Sequence, residues 1–434
     1  MSNAASTARA SPAIAVIGAG IIGSIAAYVL CKRGAHVTLI DRGDPGRGCS
    51  YGNAGALSPG WVAPMAMPGM LARIPRMLLD PEGPMHVPLA YLPRAAPWLS
   101  RFVACSRGDR VESIAARLYA MQANAVEHHV ALAKEVGASD LIKRRGQLHV
   151  YPDAAALARD ASSWGLIERS GIRIERVDRA AIEALEPRIA ARYQAGMYVP
   201  DHAMIINPFR YVQQIVRSFI VRGGRLARDE VRGIEPDLAR GWSVHLSDGR
   251  QNADHVVVAA GMHSSALLEP LGVRLPIESQ RGYHVTFPGV AAPVERVVTL
   301  GDRGVTVSPL ENGFRVAGTV EFGGLARPAN PRRFGVLAKL VRETFTDLPA
   351  TLPEKHWMGH RPCTPDSLPL VGPVASRAGL WLATGHGHLG LTGAVNTAVA
   401  LANAILEGPP PIAEADDKRV REDSEEKRVR RPGG

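Results

Sequence analysis

The chain has 434 residues, of which 46% are hydrophobic and 21% charged, and its formal charge is +10. That length can bury a large core and accommodates two or three domains, and the composition excludes disorder of the whole chain. The positive excess is scattered Arg, with only 7 Lys among 51 basic residues, and no basic stretch interleaves with aromatics, so nucleic-acid binding is not expected.

Residues 1–12 read as a flexible leader lacking the charged start, apolar run and cleavage site of a secretory signal. From Ala13 the text AIAVIGAGIIGSIAAYVLCKRGAHVTLIDR reads as strand, Gly-rich turn, helix and strand, a complete βαβ unit. The apolar run Ala13–Leu30 has the length of a membrane span. Gly18, Gly20 and Gly23 at fingerprint spacing, with Ser24 next, mark it instead as a buried strand entering a helix. Gly18 permits the tight turn, Gly20 lets backbone approach a diphosphate, and Gly23 lets the helix pack on the sheet. Asp41 ends the second strand, where it would accept ribose hydroxyls, and the helix N-terminus offers N–H groups to phosphate.

A loop rich in Gly, Ser and Asn follows, SYGNAGALSPG (50–60), in place of the further βα units of a nicotinamide dehydrogenase. Residues 61–100 are rich in Pro and Met and are expected to cover the site, with contact to a membrane as the alternative. Ile114, Leu118, Met121, Ala125 and Val126 predict a helix over 110–136, and QLHVY (147–151) a strand before two helices and a turn. A helix over 211–226 stops at Gly223-Gly224. ADHVVVAAG (253–261) reads as a strand closing the adenine side of the site. A β-rich block spans 281–321, a last amphipathic helix runs from Thr392 to Leu406, and the charged tail 411–434 is expected to be disordered. Cys31, Cys49, Cys105 and Cys363 form no CxxC pair and no ligand cluster, so neither a metal site nor a disulfide framework is expected, and a cytoplasmic setting is.

Four blocks carry a resemblance: SYGNAGALSPGWVAPMAMPG (50–69), RGYHVTF (281–287), WMGHRPCTPDSLPLVG (357–372) and GHGHLGLTGA (385–394). In order and over residues 13–408, the chain resembles the D-amino-acid dehydrogenase small-subunit family within the D-amino-acid oxidase and glycine oxidase superfamily. The resemblance implies a mixed α/β (α+β) fold: a Rossmann-like FAD-binding domain with an inserted antiparallel-sheet substrate domain. The expected boundaries are 13–60, 151–275 and 355–410 for the FAD-binding domain, and 61–150 and 276–354 for the substrate or cap domain.

By the same resemblance, Arg361 faces a substrate carboxylate and Tyr283 lines the substrate pocket, with an Arg361–Asp366 pair and a core Tyr283 as the structural alternatives. GHGHLGLTGA would lie along the N1–C2=O edge of the reduced flavin, His386 on the flavin side, with catalysis by His388 left open. Where some relatives carry a flavin-linked cysteine this chain has Gly359, which implies non-covalent FAD; Cys363 and Cys31 are then small apolar fillers. The candidate cofactor contacts are Gly18, Ala19, Gly20, Ile21, Ile22, Gly23, Asp41, Arg42, Ser50, Asn53, Ala54, Gly55, Leu57, Val231, Ala260, Gly261, Gly359, Gly385, Gly387, Leu389, Gly390, Leu391 and Thr392.

The expected reaction is oxidative deamination of a D-amino acid by hydride transfer from Cα to flavin. The electrons would pass to a quinone at the inner membrane face or to another non-oxygen acceptor. HAMIINPFRYV (202–212) departs from the dehydrogenase pattern toward oxidase-like relatives. That keeps open an oxygen-using glycine or sarcosine oxidase, a dehydrogenase of D-proline or hydroxy-D-proline, and a flavin-binding subunit without turnover. Oligomeric state is likewise open.

Overall fold

Four of the five residues of Ala13–Ile17 are fully buried, as a strand covered on both faces requires. In the computed structural model, which describes residues 11–69, 83, 85–237, 241–345, 347–408 and 419–422, this strand belongs to a six-stranded sheet. The order is Arg225–Arg228, His36–Asp41, Ala13–Ile17, His255–Val258, Arg377–Thr384, Leu370–Val374. Every pair is parallel except the last. Ile14, Val16, Val37 and Leu39 pack against the helices Ile21–Lys32, Pro208–Val221 and Ala394–Glu407. The alternate residues Ala15, Ile17, Ile40, Val256 and Val258 pack with Ile234, Trp242 and Val244 of the three-stranded meander 233–253. Gly18 has φ +105°, and a Cβ there would lie 2.5 Å from the Ala259 carbonyl oxygen; at Gly23 it would lie 1.9 Å from the Gly18 oxygen. Both glycines are therefore demanded by close backbone approach.

A second sheet of nine strands runs in the order Lys355–Cys363, Glu278–Phe287, Gly313–Phe322, Val305–Leu310, Val297–Leu300, Gln147–Tyr151, Ala195–Val199, Glu175–Asp178, with Met85–His86 added beside Gly313–Phe322. One face carries Leu148, Val150, Tyr283, Val285, Phe287, Phe314 and Val316 onto Phe334, Leu337 and Val341 of helix Pro331–Thr344. The other face meets the 50–58 loop: Arg315 binds the Tyr51 and Asn53 carbonyls, and Gln147 binds Ser58. A third core places Trp61, Val62 and Met65 with Trp98 and Phe102 of helix Leu92–Ala104, Ile114 and Leu118 of helix Gly108–Gln122, and Phe322. The described parts of the Pro/Met stretch thus pack onto protein; residues 70–82 lie outside the described set, as do the first ten residues and most of the tail.

Several expectations need correction. Strands 147–151, 175–178, 195–199 and 355–363 belong to the nine-stranded sheet, so the expected assignment of 151–199 and of the start of 355–410 to the FAD-binding domain does not hold. The junction is the parallel pairing of Val297–Leu300 with Gln147–Val150. It joins strands about 150 residues apart and leaves no local pattern to read. The helix expected over 110–136 is two, Gly108–Gln122 and Ala125–Glu135, broken where Asn124 takes φ 55°. The helix expected over 211–226 begins at Pro208, capped by Asn207 Oδ1 accepting from Arg210 N at 2.9 Å, and ends at Val221. The last helix starts at Ala394 rather than Thr392. Within the tail expected to be disordered, Arg421–Glu422 pairs with Val273–Arg274.

Candidate active site

The carboxyl ends of the parallel strands open into a cleft of about 870 Å³, closed on its far side by Trp357–His360 and Pro362 of the edge strand Lys355–Cys363. This is where ligands bind in open α/β sheets, and the volume suits a ligand larger than a mononucleotide. Of the expected cofactor contacts, Gly18, Ala19, Gly20, Ile21, Ile22, Asp41, Arg42, Ser50, Asn53, Val231, Ala260, Gly261, Gly359, Gly387, Gly390 and Leu391 line it, as does His386. Gly23, Ala54, Gly55, Leu57, Gly385, Leu389 and Thr392 stand behind that lining. Gly23 packs on Gly18, and Leu57 is fully buried. Gly55, at φ +80°, meets the Ile205 backbone, and Thr392 Oγ1 accepts from Ser58 N at 3.2 Å. These residues shape the loops that present the lining. Arg47, Cys49, Glu230, His263, Trp357 and His360 also line the cleft and were not read from the sequence.

At the nucleotide end, Asp41 Oδ2 accepts from Ala19 N at 2.7 Å and its Oδ1 from Gly43 N at 2.9 Å, while Ser50 Oγ accepts from Ile21 N at 2.8 Å. The first glycine turn is thereby tied to the second strand and to the 50–58 loop. Arg42 bridges to Glu230 at 3.1 Å on the rim.

At the other end the nine-stranded sheet reaches in. Arg315 is buried and donates through Nη1 to the carbonyls of Tyr51 (2.8 Å) and Asn53 (2.6 Å); burial lowers its pKa to about 10, so it stays a cation. His284 donates from Nδ1 to Gly52 O (3.3 Å) and stacks on Trp357 at 4.9 Å. Burial, then the neighbouring Arg315, pushes its pKa down to about 2. The Trp357 indole is wedged between two glycines: a Cβ on Gly52 or Gly359 would fall 1.9 or 2.0 Å from the ring.

The Arg361 guanidinium lies over Gly282, where a Cβ would sit 2.2 Å from Cζ. No carboxylate pairs with it among the described residues. Asp366, the alternative partner, is bridged by Arg419 at 3.2 Å. Burial lowers the Arg361 pKa; its strand neighbours His360 and Pro362 line the cleft, while Arg361 itself is not part of the lining.

Tyr283 does not line this space. Its hydroxyl donates to Glu321, it packs edge-on to Phe334 at 5.3 Å, and it is 1% exposed. The placement matches the core alternative, because the residue alternates in the strand with Gly282 and His284, which turn toward Arg361 and toward Gly52 and Trp357.

His386 and His388 both border a small pocket beside the cleft, and of the two His386 lines the cleft itself. His386 is buried, with Nε2 3.0 Å from Thr397 Oγ1. His388 is exposed, yet surrounding protein desolvates it, and with Arg361 nearby its pKa falls to about 4. Two N–H groups expected to face the flavin are already engaged: Gly387 N donates to Pro362 O at 2.9 Å and Leu389 N to His386 O at 3.0 Å.

Four imidazoles, His386 and three outside the cleft lining, are buried and neutral. His129, whose Nε2 donates to Leu391 O at 2.8 Å, has its pKa lowered to about 4; His149, His202 and His386 are lowered to about 3, all chiefly by burial. The unfolded chain takes up these protons near its ordinary pKa of about 6.5, and the folded chain does not. Stability is therefore full above about pH 7 and lost as pH falls toward 4, by up to about 1.4 kcal/mol per pH unit for each ring. Thermal unfolding should show a flat Tm above about pH 7 and a steep fall by about pH 5; a Tm unchanged between them would contradict the neutral assignment.

Among the described residues no helix is long and apolar enough to cross a membrane, and no three His, Cys, Asp or Glu are grouped to hold a metal ion. Residues 13–404 match the DAO family, described as FAD dependent oxidoreductase. The chain is 34% identical over 404 residues to a D-amino-acid oxidase of Bradyrhizobium diazoefficiens, covering 92% of this chain and 96% of that one. It is 33% identical over 426 residues to D-amino acid dehydrogenase 2 of Ralstonia nicotianae, covering 93% and 98%. Its fold is similar to that of glycine oxidase from Geobacillus kaustophilus, with a TM-score of 0.72 at 18% identity over 94% of this chain and 98% of that one. The cleft, with its glycine turn held to Asp41 and Ser50, fits the FAD that this family uses. With a nucleotide cleft of the right shape and a family match over nearly all of its length, the chain belongs to the DAO family of FAD-dependent oxidoreductases.

Proposed function

We propose that the protein oxidises D-amino acids at Cα to imino acids, which hydrolyse to 2-oxo acids, and passes the electrons to a quinone or another non-oxygen acceptor. The observation that carries this reading is Arg361, a guanidinium without an anionic partner among the described residues, seated over Gly282 and flanked in its strand by His360 and Pro362, which line the cleft. Bound without a covalent link, FAD supplies the two-electron acceptor for the hydride leaving Cα. The remaining tasks fall to side chains. Arg361 grips the substrate carboxylate through two parallel hydrogen bonds and so fixes the direction of the Cα–H bond. His388, uncharged at neutral pH, adds no second cation beside the substrate amine and offers it a ring nitrogen as acceptor. His386 and Thr392 hold the 385–393 loop in place through Thr397 and Ser58. D over L rests on the relatives named D-amino-acid oxidase and D-amino acid dehydrogenase.

The test is anaerobic. Purified holoprotein is mixed with a panel of D- and L-amino acids while the flavin absorbance is followed. Bleaching by D-amino acids alone is the expected result; bleaching by L-amino acids alone, or by none, would overturn the reading. A second reading, an oxygen-using oxidase, is favoured by the 34% identity to a protein named D-amino-acid oxidase. Peroxide formed at the rate of turnover without an added acceptor would select it.

A further inference from the structure

Arg361 stands on an edge strand. Lys355–Cys363 pairs with Glu278–Thr286 on one side; on the other, among the described residues, it meets an isolated bridge from Cys363 to His386, with Gly387 N donating to Pro362 O at 2.9 Å. Such a strand lacks a full ladder on that side, so the placement of its end depends on this bridge and on what the chain does next. Beyond Cys363 the chain leaves the sheet in the turn Thr364–Leu368. Inside the turn, Thr364 Oγ1 donates to Leu368 O at 2.8 Å, and Asp366 Oδ1 accepts from Leu368 N at 3.1 Å. Ser367 takes φ 62°, a conformation a serine holds only where its surroundings impose it.

The surroundings include a residue from the far end of the chain. Arg419 donates through Nη1 to Asp366 Oδ2 and to Leu368 O, and through Nη2 to Pro369 O, all at 3.2 Å. Both charged side chains are largely buried, at 18% and 16% exposure, which puts the pair beyond the weak surface class. The delivering segment is itself tied down, since Arg421–Glu422 pairs antiparallel with Val273–Arg274. The 61–100 stretch is fastened to the same region: Met65 N donates to Ser367 Oγ at 3.2 Å, and Trp98 Nε1 to Cys363 O at 3.1 Å.

We propose that Arg419 is a positioning residue for substrate binding: its forked grip on the 364–369 turn holds the end of the edge strand, and thereby keeps the Arg361 guanidinium seated over Gly282. The proposal rests on the assignment of Arg361 to the substrate carboxylate. Arg419 is not among the residues that line the cleft, so its loss should move binding of the carboxylate and leave the cofactor alone.

The experiment uses the full-length, FAD-loaded protein and propionate, a carboxylate without an amine, titrated against the visible flavin spectrum. Arg419→Ala should raise the propionate Kd and the KM for a D-amino acid about tenfold, with kcat within about twofold and FAD affinity unchanged. Arg419→Lys, which keeps the charge but loses the fork, should fall between. Asp366→Asn keeps the shape of the turn and should reproduce the Ala phenotype, the double variant being no worse than either single one. An unchanged propionate Kd in Arg419→Ala, with the parent protein binding normally, overturns the proposal. So does loss of FAD affinity alongside KM in both Arg419→Ala and Asp366→Asn, which would mark a general structural role. If propionate does not perturb the flavin of the parent protein at all, the assignment of Arg361 falls first and the proposal with it.

Discussion

Arg361→Ala is expected to lower kcat/KM for the amino-acid substrate by about a hundred- to a thousandfold. Two parallel charge-assisted hydrogen bonds to a carboxylate in a desolvated site are together worth about 3–4 kcal/mol, and each 1.4 kcal/mol is a factor of about ten. The carboxylate is held in the ground state as well as the transition state, so most of the loss should appear in KM. Arg361→Lys should recover part of it. Gly282→Ala offers an independent approach to the same group, because its Cβ would occupy the position of Cζ, 2.2 Å away, and expel the side chain without touching its charge. Steady-state kinetics with a fixed flavin content decide the matter. A kcat/KM within about threefold of the parent for Arg361→Ala would remove the residue from substrate binding.

Gly18→Ala should leave a folded protein that no longer retains FAD. The residue sits at φ +105°, and the new methyl would press to within 2.5 Å of the Ala259 carbonyl oxygen. Relief requires moving either the first glycine turn or the 259–261 turn, and both line the cleft. Backbone strain of this kind costs about 1–3 kcal/mol before the clash is counted. Flavin content after gel filtration measures the outcome directly. A second readout is the Tm of apoprotein on adding FAD: binding raises the Tm of the parent by mass action, and the variant should show little rise. A variant that purifies with a full complement of FAD would show that the turn tolerates the change.

The first βαβ unit was legible because its signal is local: the strand, three glycines, helix and Asp41 fall within 30 residues and each has one physical reason. The cleft lining at Ser50, Asn53, Gly359, Gly387 and Gly390 came from matched blocks rather than periodicity, and the structure brings those blocks together around one space. What stayed hidden was non-local or masked by composition. Helix Pro331–Thr344 was not read although Asn330-Pro331 and the spacing of Phe334, Leu337, Leu340 and Val341 mark it; its many Arg and Lys obscured the apolar stripe. Helix Leu92–Ala104 was lost for a related reason, because Pro93 and Pro97 read as breakers, one of them sitting in the first turn. Tyr283 was placed one position out of phase with the cleft face, and in a strand one position is the other side of the sheet. Its neighbours Gly282 and His284 instead meet Arg361 and the Gly52 carbonyl. Arg419 could not be read at all, since nothing in a run of charges tells which one finds a buried carboxylate.

Trp357 also bears on which descendants of this sequence are reachable. Its indole fills the space above two separate chain segments at once, leaving room for no side chain at 52 or 359. A cysteine at 359, the position from which some relatives of this kind tether their flavin, therefore cannot arise here as a single tolerated step: the ring must shrink or turn first, and His284, stacked on it at 4.9 Å, must repack with it. A lineage carrying this tryptophan is thereby closed to a tether from position 359 until the ring itself changes.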